Sequence, residues 1–191
     1  MIVVPGLAII FLVVVYGIYI VKLLDLKKKG KDINLIKDNY SRKKDILNIA
    51  TILVSCTLFI TELLSLIGVM KVYIISIIVR IVSLMISGVG VVFFVGAVKN
   101  MKDNWRVKDK VDSDVNLVVD GMFGYTRNPA YVGIDFLVVG MTLNAPNICN
   151  IVLSILLIIL FHIKIITEER FLKDRFGEEY IDYKKKVHRY I

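Results

Sequence analysis

Long apolar runs constrain this chain more than anything else in it. Ile2–Leu24, Ile46–Val69, Val72–Val98 and Ile148–Ile166 are each close to or above the ~20 residues needed to cross a bilayer core, and Tyr131–Leu143 adds a shorter one. In hydrocarbon a backbone must satisfy its own hydrogen bonds, so such runs fold as helices or closed barrels, and continuous apolarity without alternation selects helices. The composition agrees: 57% of the 191 residues are hydrophobic and the mean hydropathy is +0.71. The expected fold is all-α, a polytopic membrane protein with about five transmembrane helices. The first run has no basic n-region and reads as a retained helix, not a cleaved signal peptide.

Charge sets the expected orientation. Lys27, Lys28, Lys29, Lys31, Lys37, Arg42, Lys43 and Lys44 fill the first loop; Lys99, Lys102, Arg106, Lys108, Lys110 and Arg127 fill the second; Lys173, Arg175, Lys184, Lys185, Lys186 and Arg189 fill the tail. The opposite side offers little beyond Lys71. Excess Lys and Arg marks the cytoplasmic side, so the N-terminus is expected outside and the C-terminus inside. The net charge of +8 then suits anionic lipid headgroups, and no interleaving of aromatic and basic residues argues for nucleic acid. Ile33, Ile36 and Tyr40 are spaced for a short helix on the membrane surface, and a solvated basic linker fits equally well. Cys56 and Cys149 are placed for neither a disulfide nor a metal site.

Charged groups inside apolar runs need partners. Glu62 and Arg80 each lie nine residues from Lys71, the expected hairpin tip, so a structural ion pair between them is expected. Ser76, Ser83, Ser87, Gly90 and Ala97 make a stripe of small residues suited to close helix packing.

The run after "GMFGYTRNPAYVG" is unusual. From Pro129 to Leu143 it spans about 22 Å at 1.5 Å per residue, short of a ~30 Å core. Asn128 suits the N-cap and Pro129 the first helical position. Tyr131 and Asp135 follow Asn128 at i+3 and i+7, which places an amide, a phenol and a carboxylate on one face. An interfacial turn does not account for Asp135. "NAPN" at 144–147 ends this helix, and Ile148 begins the next. That helix carries His162, Ile166 and Glu169 on one face, with Lys164 and Glu168 at i,i+4. Phe176-Gly177 is a plausible stop, and Tyr180, Tyr183 and Val187 then form an apolar edge able to dock on the membrane or the core.

Together "GYTRNPAYVG", a hydrophobic hairpin and "EERFLKDRFGEEYIDYKKKVHR" resemble the integral-membrane methyltransferases of the isoprenylcysteine carboxyl methyltransferase and phospholipid methyltransferase type. Gly121, Arg127, Pro129, Tyr131, Gly133, Glu168-Glu169, Leu172, Phe176-Gly177, Tyr180 and Tyr183 carry the resemblance, with Asn104-Trp105 and Leu117-Val118 as lead-in. It covers residues 99–190 and departs at Asn128, where that family usually has histidine. The resemblance divides the chain into three N-terminal helices with a basic loop at 25–45 (residues 1–98) and a catalytic region (99–191) with the hairpin at 129–166.

The resemblance implies S-adenosyl-L-methionine as methyl donor, bound in a cytoplasmic pocket of C-terminal helices, and a lipophilic acceptor: an isoprenylcysteine-type carboxylate or a phospholipid-type amine. It implies Arg127 and Glu168 as catalytic residues. Leu117, Val118, Gly121, Asn128, Tyr131 and Glu169 are implied as cofactor contacts, with Asp135 and Trp105 on the acceptor side. The alternatives are a relative of membrane sterol reductases using NADPH and a non-catalytic membrane protein that keeps the fold.

Overall fold

A computed structural model describes residues 3–28, 42–102 and 116–191. The surface helix expected around Ile33–Tyr40, and Trp105, fall outside them. Among the described residues six α-helices follow in order: α1 (Val3–Lys28), α2 (Arg42–Leu66), α3 (Ile77–Met101), α4 (Pro129–Asn144), α5 (Ile148–Phe176) and α6 (Glu178–Lys186), with a 3-10 turn at Gly121–Gly124 before α4. Four helices, α1, α2, α3 and α5, are long and apolar enough to cross a membrane, and α4 is a shorter apolar helix. The chain is an integral membrane protein built as the apolar runs require.

The short helix is the one the others enclose. Leu137 and Met141 of α4 join Ala8, Leu12 and Val15 of α1 and Phe94 and Val98 of α3 in one apolar cluster. Val138, on another side of α4, joins Leu58 of α2 with Leu157 and Phe161 of α5. A helix apolar all round belongs in an interior, and here that interior is the centre of a bundle. The outer helices instead turn Ile10, Leu53, Ile78 and Ile155 outward, towards lipid.

Lipid is as apolar as leucine, so helices associate through close packing instead. The stripe predicted on α3 does this against α4. Ser83, Ser87, Gly90 and Ala97 are all buried. A Cβ on Gly133 would lie 2.6 Å from the Phe94 backbone nitrogen and 2.7 Å from the Gly90 oxygen. One on Gly140 would lie 2.6 Å from the Ser83 oxygen. Ser76 plays a different part: it caps α3, accepting from the Val79 amide at 3.3 Å.

Two expectations are corrected at the opposite end of the bundle. The third helix begins at Ile77, not Val72; α2 ends in turn residues 67–70, next to the expected tip at Lys71. Residues 71–76 are non-helical, and the Tyr73 amide donates to the Pro146 carbonyl at 2.7 Å. The expected Glu62–Arg80 pair does not form. The main packing partner of α3 is α4, and that of α2 is α5, so the two helices do not make the simple hairpin that the pairing assumed. Glu62 is buried and accepts from Thr142 at 3.3 Å, and the Thr142 hydroxyl is also bonded to Ser154. Arg80 donates to the Asn144 carbonyl at 3.3 Å. The "NAPN" signal holds: α4 ends at Asn144, and the Asn147 side chain caps α5 by accepting from the Asn150 amide at 3.0 Å.

The close approach of α3 and α4 makes a direct prediction. Gly133→Ala overpacks a backbone contact and is expected to cost about 1–3 kcal/mol. Gly17→Ala, with nothing within 4 Å of its new Cβ, is expected to leave stability unchanged or raise it. Thermal unfolding in detergent followed by circular dichroism reads both, and equal melting temperatures for the two variants would contradict the packing argument.

Candidate functional site

The site grows from the turn before α4. Gly121, at φ +63°, takes a backbone conformation that disfavours any side chain, and it packs on Asn100 of α3. The Asn100 side-chain oxygen accepts from the Met122 amide at 3.1 Å. The turn then delivers Thr126, Arg127 and Asn128 to the start of α4, with Pro129 at its first position as predicted. Asn128 stands at the N-cap but its side chain does not cap. The Thr126 hydroxyl accepts from the Asn128 backbone N–H at 3.2 Å, and the Asn128 side chain is turned to another partner.

That partner is Glu169. The buried stripe of α5 runs Leu157, Phe161, Ile165, Glu169, so of the expected face His162–Ile166–Glu169 only Glu169 is buried. A carboxylate at the end of an apolar stripe is costly unless paired. Its Oε1 accepts from Arg127 Nε (3.2 Å) and Nη2 (3.1 Å), from Asn128 Nδ2 (3.2 Å) and from Arg189 Nε (3.1 Å). Its Oε2 accepts from Arg189 Nη2 at 2.9 Å. The Arg127 and Glu169 side chains are each 7% exposed, so this is a buried, charge-assisted cluster and not a surface pair.

The same cluster holds down the tail. Gly177, at φ +53°, ends α5, as Phe176-Gly177 predicted, and α6 folds back. Tyr180 and Tyr183 are buried, so the expected apolar edge docks on the core. Tyr183 donates to the Phe123 carbonyl at 2.6 Å. Arg127 Nη1 donates to the carbonyls of Lys184 (3.1 Å) and Val187 (2.7 Å), and its amide donates to His188 (2.9 Å). The Arg189 carbonyl accepts from Thr126 (2.9 Å) and Asn128 (3.3 Å). Hydrogen bonding to Glu169 holds the Arg189 guanidinium above its usual range. Burial, then the Glu169 charge, push the Tyr180 phenol up to about 12.

A second group lies beside this clamp. Tyr131 donates to Glu168 at 2.6 Å, and its ring meets Phe161 edge-on with centroids 5.3 Å apart. Glu168 is therefore tied to Tyr131, while Glu169 orients Arg127. Asp135 lies one turn along α4 from Tyr131, partly exposed, and among the described residues its Oδ1 is buried without a hydrogen-bond partner. Tyr190 is hydrogen-bonded to His162 Nδ1. Leu117 and Val118 are not brought to the clamp; they line a cleft with Lys99, Asn100, Lys102 and Asp120.

Sequence reasoning missed Arg189 as a partner of Glu169, because it reads as one more charge in a basic tail. It also missed Thr126 and the tail carbonyls. The available signal was the register of Glu169 on the apolar stripe, which demands a cation.

The phospholipid methyltransferase family matches residues 78–179, just over half of the chain. Protein-S-isoprenylcysteine O-methyltransferase of Schizosaccharomyces pombe is 37% identical over 82 residues, 42% of this chain and 35% of its own length. The proteins of that name from Saccharomyces cerevisiae (37% over 82 residues, 42% of this chain, 34% of its own) and Mus musculus (34% over 85 residues, 44% and 30%) are similar. The match thus spans about a third of the length of these relatives. No solved structure is significantly similar to the chain. The chain belongs to the phospholipid methyltransferase family.

Proposed function

We propose that this protein is an integral-membrane methyltransferase that transfers a methyl group from S-adenosyl-L-methionine to a lipophilic acceptor. The observation that carries the reading is the Glu169 clamp. It joins the start of α4, the end of α5 and the tail at one end of the bundle, within and just beyond the family match. The similarity to methyltransferases in three eukaryotes supports it.

The residues at hand suit such a donor. Beside the clamp stand the exposed carboxylate of Glu168 and the rings of Tyr131, Phe161 and Tyr190, a set of acceptors and π-faces fitted to a sulfonium, an ammonium and an adenine. The bound donor would supply an activated methyl group with a good leaving group. The chain then has mainly to align the reactants, which alone accelerates such displacements greatly. In this reading Tyr131 and Glu168 meet the donor directly, with Glu168 on its ammonium. Asn128 and Glu169 border it, and Arg127, fixed by Glu169 and the tail carbonyls, sets the angle at which α4 and the tail enclose it. Leu117, Val118 and Gly121 shape the approach through the turn packed on α3. The short α4 begins below headgroup level, which opens a lateral path for a lipid-like acceptor.

The orientation is also proposed: N-terminus outside, with the clamp and C-terminus cytoplasmic. The clamp end of the bundle carries Lys27 and Lys28 of α1, Lys99 of α3 and Lys173 and Arg175 of α5 in the last turns. In a chain whose two cysteines are replaced by serine, Lys71→Cys is expected to react with a membrane-impermeant maleimide in intact spheroplasts, and Lys186→Cys only after lysis. The reverse pattern would invert the topology.

Calorimetry on detergent-purified protein tests the donor. S-adenosylhomocysteine is expected to bind the wild type. Glu168→Ala, which removes a charge-assisted contact, is expected to weaken binding about tenfold or more, or roughly 1.5–3 kcal/mol. No binding to the folded wild type, or binding of NADPH in its place, would overturn the reading.

A further inference from the structure

We infer that Asp135 accepts the proton that the methyl acceptor must lose, with Tyr190 and His162 completing that side of the site. The natural acceptor is then a lipophile whose nucleophile carries a proton, an amine or a thiol, and not a preformed carboxylate. The inference rests on the methyltransferase reading and specifies what that site takes.

The first argument is one of charge. A carboxylate acceptor needs a cation to hold it, and the two guanidiniums of the clamp are already committed. Arg127 gives Nε and Nη2 to Glu169 and Nη1 to two tail carbonyls. Arg189 gives Nε and Nη2 to the same carboxylate. The charged groups recorded next to Tyr131 are Glu168, exposed and hydrogen-bonded to it, and Asp135 one turn along α4.

The second is the state of Asp135 itself. Its Oδ1 is enclosed and among the described residues receives no hydrogen bond. That is a costly arrangement for a group with only a structural role. Glu62, another buried acid, has Thr142 as donor, so the fold is able to provide one. Asp135 shares a helix face with Tyr131, one turn deeper, where an acceptor entering from lipid beside the Tyr131–Glu168 pair would place its reacting atom.

The third is the surroundings. The Asp135 charge reaches Tyr190 and, after burial, raises its phenol pKa. The Tyr190 hydroxyl is in turn bonded to Nδ1 of His162, an exposed residue. The tail phenol and the α5 imidazole are thus hydrogen-bonded to each other within electrostatic reach of the Asp135 carboxylate, and Asn128 at the clamp cannot titrate.

For an amine the step balances as follows. The acceptor ammonium gives one proton to the Asp135 carboxylate, leaving a neutral amine and a carboxylic acid. The freed nitrogen lone pair forms a bond to the methyl carbon as the carbon–sulfur bond breaks and its electron pair stays on sulfur. The N-methylated product leaves as a cation, and Asp135, partly exposed, gives up its proton to solvent. A thiol loses its proton to Asp135 in the same way and leaves as a neutral thioether.

The test offers radiolabelled S-adenosylmethionine and the full chain in proteoliposomes three acceptors: dodecylamine, dodecanethiol and N-acetyl-S-farnesylcysteine. Label is expected in the amine or the thiol and not in the farnesylcysteine. Asp135→Asn is expected to lower kcat on the labelled acceptor about 100-fold or more, with S-adenosylhomocysteine affinity unchanged by calorimetry. Tyr190→Phe, a milder change that keeps the ring, is expected to lower kcat several-fold without moving KM. Labelling of farnesylcysteine alone overturns the inference while leaving the methyltransferase reading intact. So does wild-type kcat in Asp135→Asn, or donor binding with none of the three labelled. Should Asp135→Asn fail to fold, the acceptor preference of the wild type and the Tyr190→Phe rates still decide it.

Discussion

One carboxylate holds the functional end of this molecule together. Glu169 ends an apolar stripe, where an ionised group survives only if its oxygens are filled. Arg127, Asn128 and Arg189 fill them, from the start of α4 and from the tail. Removing one partner from a buried charge cluster typically costs about 3–5 kcal/mol, because the remaining charge is stranded. The clamp is thus a strong local constraint, and it spends the two arginines in doing so.

The rest of the bundle presents the clamp. Close packing through Gly90, Gly133 and Gly140 fixes α4 against α3 backbone to backbone, so the entry to α4 has little freedom to tilt. At the other end, Glu62, Thr142 and Ser154 bond across α2, α4 and α5. Polar networks pin both ends of the short helix and small residues pin its middle. In a membrane these are the means available, since burying another leucine gains nothing over lipid.

Much of this was legible in the sequence because the bilayer restricts the alternatives. The apolar runs located the spanning helices. Pro129 and Gly177 marked a helix start and a helix end through backbone geometry alone. The small-residue stripe on α3 anticipated its contact with α4. What the sequence did not show was partner choice. Glu62 and Arg80 sit at matching depths in a notional hairpin, but α4 and its hydroxyl intervene. Asn128 is a good cap by propensity, yet its side chain does not cap and its amide nitrogen donates to Glu169 and to the tail. Glu168 and Glu169 are adjacent, and only helix register decides that the second enters the core while the first meets Tyr131. Arg189 is 20 residues from Glu169, beyond the Gly177 stop, and no local pattern distinguishes it from the other cations of the basic tail.

In the proposed function the clamp builds a donor site on the face formed by Tyr131 and Glu168. An experimental structure with S-adenosylhomocysteine bound tests this most directly. Ligand density in contact with Tyr131 and Glu168, with the Arg127–Glu169–Arg189 bonds intact, is the predicted result. Density elsewhere in the bundle, with the Tyr131–Glu168 bond undisturbed, would contradict it.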